Sequence, residues 1–199
     1  MKTDGVNRSA EEKRIRAQFD EENIRVYQAY GHTIADEALR LGTFGAHFQM
    51  DRMTWIKPSF LWMMYRSGWA TKEGQERILA IDMKRTGFNI LLENVVLSAF
   101  RPEISGEYDN WKMQLENSEV RCQWDPGRDI YGNPLDRRAI QLGLKGSMVK
   151  RYVTDWIVKI SDITDTVIEM RKSIKTKTFD NTMLPIECEY PLNERLKRT

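Results

Sequence analysis

The chain has 199 residues, 41% of them hydrophobic, which suits one compact domain with a sizeable core and excludes a chain disordered throughout. Thirty-one Lys and Arg stand against 29 Asp and Glu, a formal charge of +2. That balance excludes a protein that coats DNA through bulk positive charge and leaves room for a local basic cleft. Cys122 and Cys188 lie far apart with no CxxC spacing, which excludes a zinc ribbon, a thioredoxin-type motif and a disulfide framework and suits a reducing cytosol.

The first 15 residues are polar and are expected to be a flexible segment ahead of a single domain over 16–199. The start of the chain carries no apolar signal core, and no run approaches the roughly 18 apolar residues of a membrane span. The expectation is a cytoplasmic protein without a membrane partner. Residues 24–30 (IRVYQAY) alternate apolar and polar β-formers and predict a strand. A short amphipathic helix follows over 36–41, with Gly42 as its stop. Irregular chain is expected around 45–53, and a strand or loop end at 53–56. Pro58 suits a first helical turn, 60–67 a helix of about two turns, and Gly68 its end. Residues 77–84 (RILAIDMK) predict a second strand, and 87–100 an apolar helix with Leu91, Val95 and Ala99 on one face. Within 103–117 a loop-rich connection holds a short helix at 108–115. Residues 120–124 (VRCQW) predict a third strand, ended by turn signals at 125–127 and 131–134. The stretch 137–156 reads as mostly helical, with Gly143 and Gly146 interrupting it. A strand at 156–160, a helix over 162–172 capped by Asp162 and a short strand at 186–190 follow. Strands and helices mix without regular alternation, which favours an α+β fold.

Several chemistries are missing. There is no GxxxxGK[ST] loop, no GxGxxG after a strand and no GxSxG elbow. His32 and His47, the only histidines, are 15 residues apart and sit in no HExxH or HxH pattern, so no metal is expected. The segment 52–69 is different, because Trp55, Trp62, Trp69, Phe60 and Tyr65 are interleaved with Arg52, Lys57 and Arg66. Aromatic faces can stack a base while guanidinium forks take phosphate oxygens; the plainer reading is a helix that buries its aromatics and leaves its cations in water. The first strand offers Arg25 and Tyr27 on one face, Gln28 and Tyr30 on the other. Asp125 stands at a strand end, either as an electrostatic stabiliser or as a turn former. Arg128, Arg137 and Arg138 follow it. Gly143-Leu144-Lys145-Gly146 has the GxxG form that clamps a nucleic-acid backbone in KH domains.

Over IRVYQAY (24–30), RMTWIKPSFLWMMYRSGWATK (52–72), QERILAI (75–81), VRCQWDP (120–126) and RRAIQLGLKG (137–146) the chain resembles the domain-of-unknown-function family 4291 of bacteria and fungi, across roughly residues 15–190. The order of parts also resembles, more weakly, the ADP-ribosyltransferase-like fold. That resemblance implies a split, mostly antiparallel sheet packed by helices, with NAD held in the cleft between its halves. It implies Arg25 as the strand-one residue on the ADP-ribose part and Trp55 or Tyr65 as the ring that stacks on nicotinamide. The superfamily's late-strand Glu has no RSxE-like or ExE counterpart, and Asp125 or Glu119 takes its place.

The expectation is one α+β domain, ADP-ribosyltransferase-like, that binds a nucleotide-like small molecule, with NAD as candidate substrate and ADP-ribosyl transfer or NAD glycohydrolysis as candidate reaction. Asp125 and Arg25 are the candidate catalytic residues. Arg25, Tyr27, Arg52, Trp55, Lys57, Tyr65 and Arg66 are the candidate ligand-binding residues. The alternatives are a non-catalytic nucleic-acid-binding module and a protein-interaction domain.

Overall fold

The computed structural model describes residues 13–192 and residue 196. The expected flexible segment falls largely outside them, and its end is β1 (Ile15–Ala17), which pairs antiparallel with β9 (Cys188–Tyr190) near the other end of the chain. Then come β2 (Asn23–Tyr30), α1 (His32–Leu41), β3 (Thr54–Ile56), α2 (Phe60–Ser67) and β4 (Arg77–Lys84). Gly42 and Gly68 close the two helices in the left-handed conformation, φ 72° and 61°, which only glycine adopts without strain. Pro58 lies just outside α2, one residue before the N-cap Ser59.

Two stretches expected to be helical are otherwise. Residues 87–100 divide into α3 (Arg85–Glu93) and β5 (Val95–Leu97). Asn94 stops the helix, its side chain donating to the Ile90 carbonyl, and the β-branched valines then pair parallel with β6 (Val120–Arg128). Leu91 and Val95 both still reach the core, from different elements. Residues 137–156 hold the greater part of β7 (Pro134–Leu144), then α6 (Ser147–Arg151) and a π turn over Tyr152–Trp156. The period-two set Ile140, Leu142 and Leu144 is buried against the core, a pattern masked by the charges that precede it. Gly143 sits inside β7 opposite Trp55 and Arg121, so 143–146 is not a GxxG loop. Between β5 and β6 lie α4 (Pro102–Ser105) and α5 (Tyr108–Asn117). β8 (Ile157–Asp162), α7 (Thr164–Thr176) and β9 follow. Asp162 accepts the Thr164 backbone N–H at 2.9 Å, a cap one residue earlier than the N-cap position.

The molecule is one α+β domain with two larger sheets. One has the antiparallel order β2-β4-β8, the other the order β3-β7-β6-β5, antiparallel except for its last pair. They touch at a single backbone pair: Tyr27 and Lys57 each donate their N–H to the other's carbonyl, at 2.8 and 3.3 Å. Alternation along β2 divides its side chains between two cores. Ile24 and Val26 join the larger core, with α1, α3 and the four-stranded sheet. Tyr27 joins a smaller one under α2 and α7, with Phe60, Met63, Ile78, Val167 and Met170. Both cysteines are free, Cys122 buried and Cys188 exposed. No helix among the described residues is long and apolar enough to cross a membrane.

Candidate functional site

Beyond the Tyr27–Lys57 pair the two sheets part, and the gap between β2 and β3 is a cleft of about 610 Å³. Side chains cross it at its base instead of backbone bonds. Gln28, 2% exposed in the middle of β2, is held by the Tyr152 hydroxyl, which donates to its carbonyl oxygen at 2.8 Å. That turns its amide N–H groups onto the Tyr30 hydroxyl at 2.7 Å and the Thr54 hydroxyl at 2.8 Å. The two hydroxyls are 3.1 Å apart. One proton lies between them, and the other hydroxyl proton has no acceptor among the described residues. The π turn that carries Tyr152 therefore sets the orientation of the cleft's base.

Three cations line the cleft: Arg52, Lys57 and Arg66. No carboxylate is among the lining residues. Arg52 and Arg66 are exposed at the rim, and α2 brings Arg66 there from its last turn. Lys57 is 5% exposed, and its Nζ donates to the Trp55 carbonyl at 3.2 Å. Burial pulls its pKa down to about 8, and the neighbouring Arg66 pulls the same way, against a weaker opposing pull from Asp125. The Tyr30, Phe48 and Trp55 rings supply aromatic surface. Phe48 is set by stacking on Phe44, with centroids 4.4 Å apart, and by the edge of Tyr30. This packing orders the irregular segment that also places His47, Gln49 and Arg52.

The opposite wall carries Gln123 of β6 and Gln141 of β7, directly paired across the strands. Each donates one amide N–H to Asp125, at 2.8 and 2.7 Å. Asp125 is outside the lining and grips two amides whose carbonyl oxygens have no partner among the described residues. It thus fixes two amides on this wall with their carbonyl oxygens available as acceptors.

The expected site residues therefore divide. Arg52, Trp55, Lys57 and Arg66 come together in the cleft, and Asp125 adjoins it through the two glutamines. Arg25 lies elsewhere, in a bidentate pair with its cross-strand neighbour Asp82, at 2.7 and 2.9 Å. Tyr27 is buried against the Phe60 ring and donates its hydroxyl to Gln18. Tyr65 stacks on Trp62 beneath the Arg128 guanidinium, away from the lining. Alternation along the strand was legible, but the cleft is built by the Gln28 and Tyr30 face, not by the Arg25 and Tyr27 face. The available signal was Gln28 itself, an amide flanked by apolar neighbours. Glu119 caps α6 by accepting the Ser147 backbone N–H. His47 lies beside Glu37, and no group of His, Cys, Asp and Glu among the described residues could hold a metal ion.

No curated protein matches the chain. The family model described as "Domain of unknown function (DUF4291)" matches residues 14–190, a span that takes in both larger sheets and every residue lining the cleft. The chain belongs to the DUF4291 family.

Proposed function

We propose that the cleft between the two sheets binds a nucleotide-like anion, with NAD as the first candidate. The observation that carries this reading is a ligand-sized cleft lined by three cations, three aromatic rings and several side-chain amides, with no carboxylate among its lining residues. Such a cavity favours a ligand that brings its own negative charge. Arg52 and Arg66 take the phosphates as guanidinium forks, a ring stacks on Trp55 or Phe48, and Gln123 and Gln141 read a polar edge. A cleft at the seam of a split sheet also agrees with the resemblance to the ADP-ribosyltransferase-like fold. ADP-ribosyl transfer or NAD glycohydrolysis is the reaction proposed there, with Asp125, behind the glutamines, as the carboxylate that would act on the ribose cation.

Titration of the purified chain with ADP and with NAD, followed by Trp fluorescence and calorimetry, tests the reading. Saturable binding is expected, weakened about tenfold or more by Arg66→Ala through loss of a charge-assisted contact. No binding of either at millimolar concentration would overturn it. Nicotinamide release from NAD in the same tubes, lost in Asp125→Asn, would establish the reaction. Binding without release would leave a nucleotide-binding protein.

A second reading is a nucleic-acid-binding module, favoured by one observation. Arg14, Arg16, Arg128, Arg137 and Arg138 gather along a groove formed by β1, β6 and β7 around Glu187. Binding of single-stranded RNA or DNA that falls steeply with salt would support it.

A further inference from the structure

We propose that Lys57 is a nucleophilic amine that condenses with the carbonyl of a phosphate-bearing aldehyde or ketone bound in the cleft. This rests on the reading of the cleft as an anion site and adds to it a class of ligand and a covalent step.

Lys57 is almost completely buried, yet it lines a cleft open to solvent. Among the described residues its Nζ has one hydrogen-bond partner, the Trp55 carbonyl. A buried ammonium is ordinarily held by a carboxylate, and none lines this cavity. Asp125, the carboxylate that adjoins it, is engaged by Gln123 and Gln141. The lysine backbone is pinned at the seam by both bonds to Tyr27, so the amine is presented from a fixed point. Arg66, on the neighbouring helix, adds a like charge that disfavours a second cation. Burial beside another cation is how proteins keep an amine neutral enough to attack carbonyl carbon. Arg52 and Arg66 at the rim would take the phosphate, leaving the amine for the carbonyl.

The step balances without a redox partner. The neutral Nζ lone pair forms a bond to the carbonyl carbon as the C=O π pair moves to oxygen. A proton passes from nitrogen to that oxygen, giving a carbinolamine. The C–O bond then breaks, and the hydroxyl group leaves with the remaining nitrogen proton as water. The product is a neutral C=N imine, and water reverses the reaction.

Pyridoxal 5′-phosphate is a suitable probe because it joins a ring, an aldehyde and a phosphate. Borohydride reduction makes its imines permanent, and peptide mass spectrometry locates them on the unaltered full-length chain. The expected result is saturable labelling of Lys57, roughly tenfold or more faster than of any exposed lysine. Competition by ADP should slow it. In Lys57→Arg this label should be lost while labelling of the exposed lysines is unchanged. Labelling spread over surface lysines at similar rates, or failing to saturate, would overturn the proposal. ADP binding without preferential Lys57 labelling would overturn the amine alone. Saturable Lys57 labelling in a chain that binds neither ADP nor NAD would uphold the amine and overturn the nucleotide reading.

Discussion

A lysine buried with no carboxylate partner among the described residues works against the fold that holds it, and Lys57 should show this directly. Its pKa is lowered from 10.5 to about 8. Between those values the unfolded chain holds a proton that the folded chain has released, so stability rises with pH across that window. Below pH 8 the whole penalty is present. Lys57→Met should therefore stabilise the protein at pH 7, on the order of 2 kcal/mol, and the gain should shrink as pH rises from 8 toward 10.5. Urea unfolding of both proteins at pH 7 and pH 10 measures it; an equal or negative difference at pH 7 would show that the amine is not held at a cost. Arg25 provides the contrast. Its pair with Asp82 is about a quarter to a third exposed, so Arg25→Ala should cost about 1 kcal/mol or less. Ligand affinity should stay within a factor of about two, because the pair stands outside the cleft. A large loss of affinity in calorimetry would return Arg25 to the site.

Among the elements, α2 joins the cleft to the arginine groove, with Arg66 in its last turn and Glu187 at its first. The Glu187 carboxyl accepts the Phe60 backbone N–H at 2.6 Å. Burial nevertheless raises its pKa from 4.5 to about 7, against the lowering effects of that bond, Arg16 and Arg137. A raised carboxyl binds protons in the folded state that the unfolded chain has lost, so stability falls as pH rises from about 4.5 to 7. Glu187→Gln keeps an acceptor for Phe60 and removes the titration. It should flatten the pH profile by about 1–2 kcal/mol after allowance for solvent screening. Denaturant unfolding at pH 4.5 and 7.5 decides it, and parallel profiles for the two proteins would refute the assignment. This contact joins residues 127 positions apart. The helix itself is a local matter, since FLWMMYRS followed by Gly68 predicts its extent from the residues alone.

For the whole molecule, the decisive fact is that two sheets share one backbone pair. A ligand in the proposed site would contact both, through Gln28 and Tyr30 on one side and Trp55, Gln123 and Gln141 on the other. Its binding energy is then added to the seam. At about one hundred times Kd a ligand of the folded state adds about 2.7 kcal/mol. Saturating ADP should accordingly raise the melting temperature and slow hydrogen exchange at the Tyr27 and Lys57 amides. Slowing confined to the outer turns, with the seam unchanged, would place the ligand elsewhere.

What the chain alone determined lies within reach of a few residues along the sequence. The strands at 24–30 and 77–84, the helix ended by Gly68 and the cationic aromatic segment at 52–69 rest on periodicity, propensity and glycine's left-handed freedom. β7 was not legible, because the charges Asp136, Arg137 and Arg138 ahead of Ile140, Leu142 and Leu144 masked its alternation. Nor was the choice of face on β2, since either face could have met the cleft. Tertiary packing decided it: Tyr152, 124 residues away, turns Gln28, and the four-stranded sheet brings Gln123 and Gln141 opposite. A binding site is a set of groups converging from distant elements, and convergence is a property of the folded chain, not of any one segment.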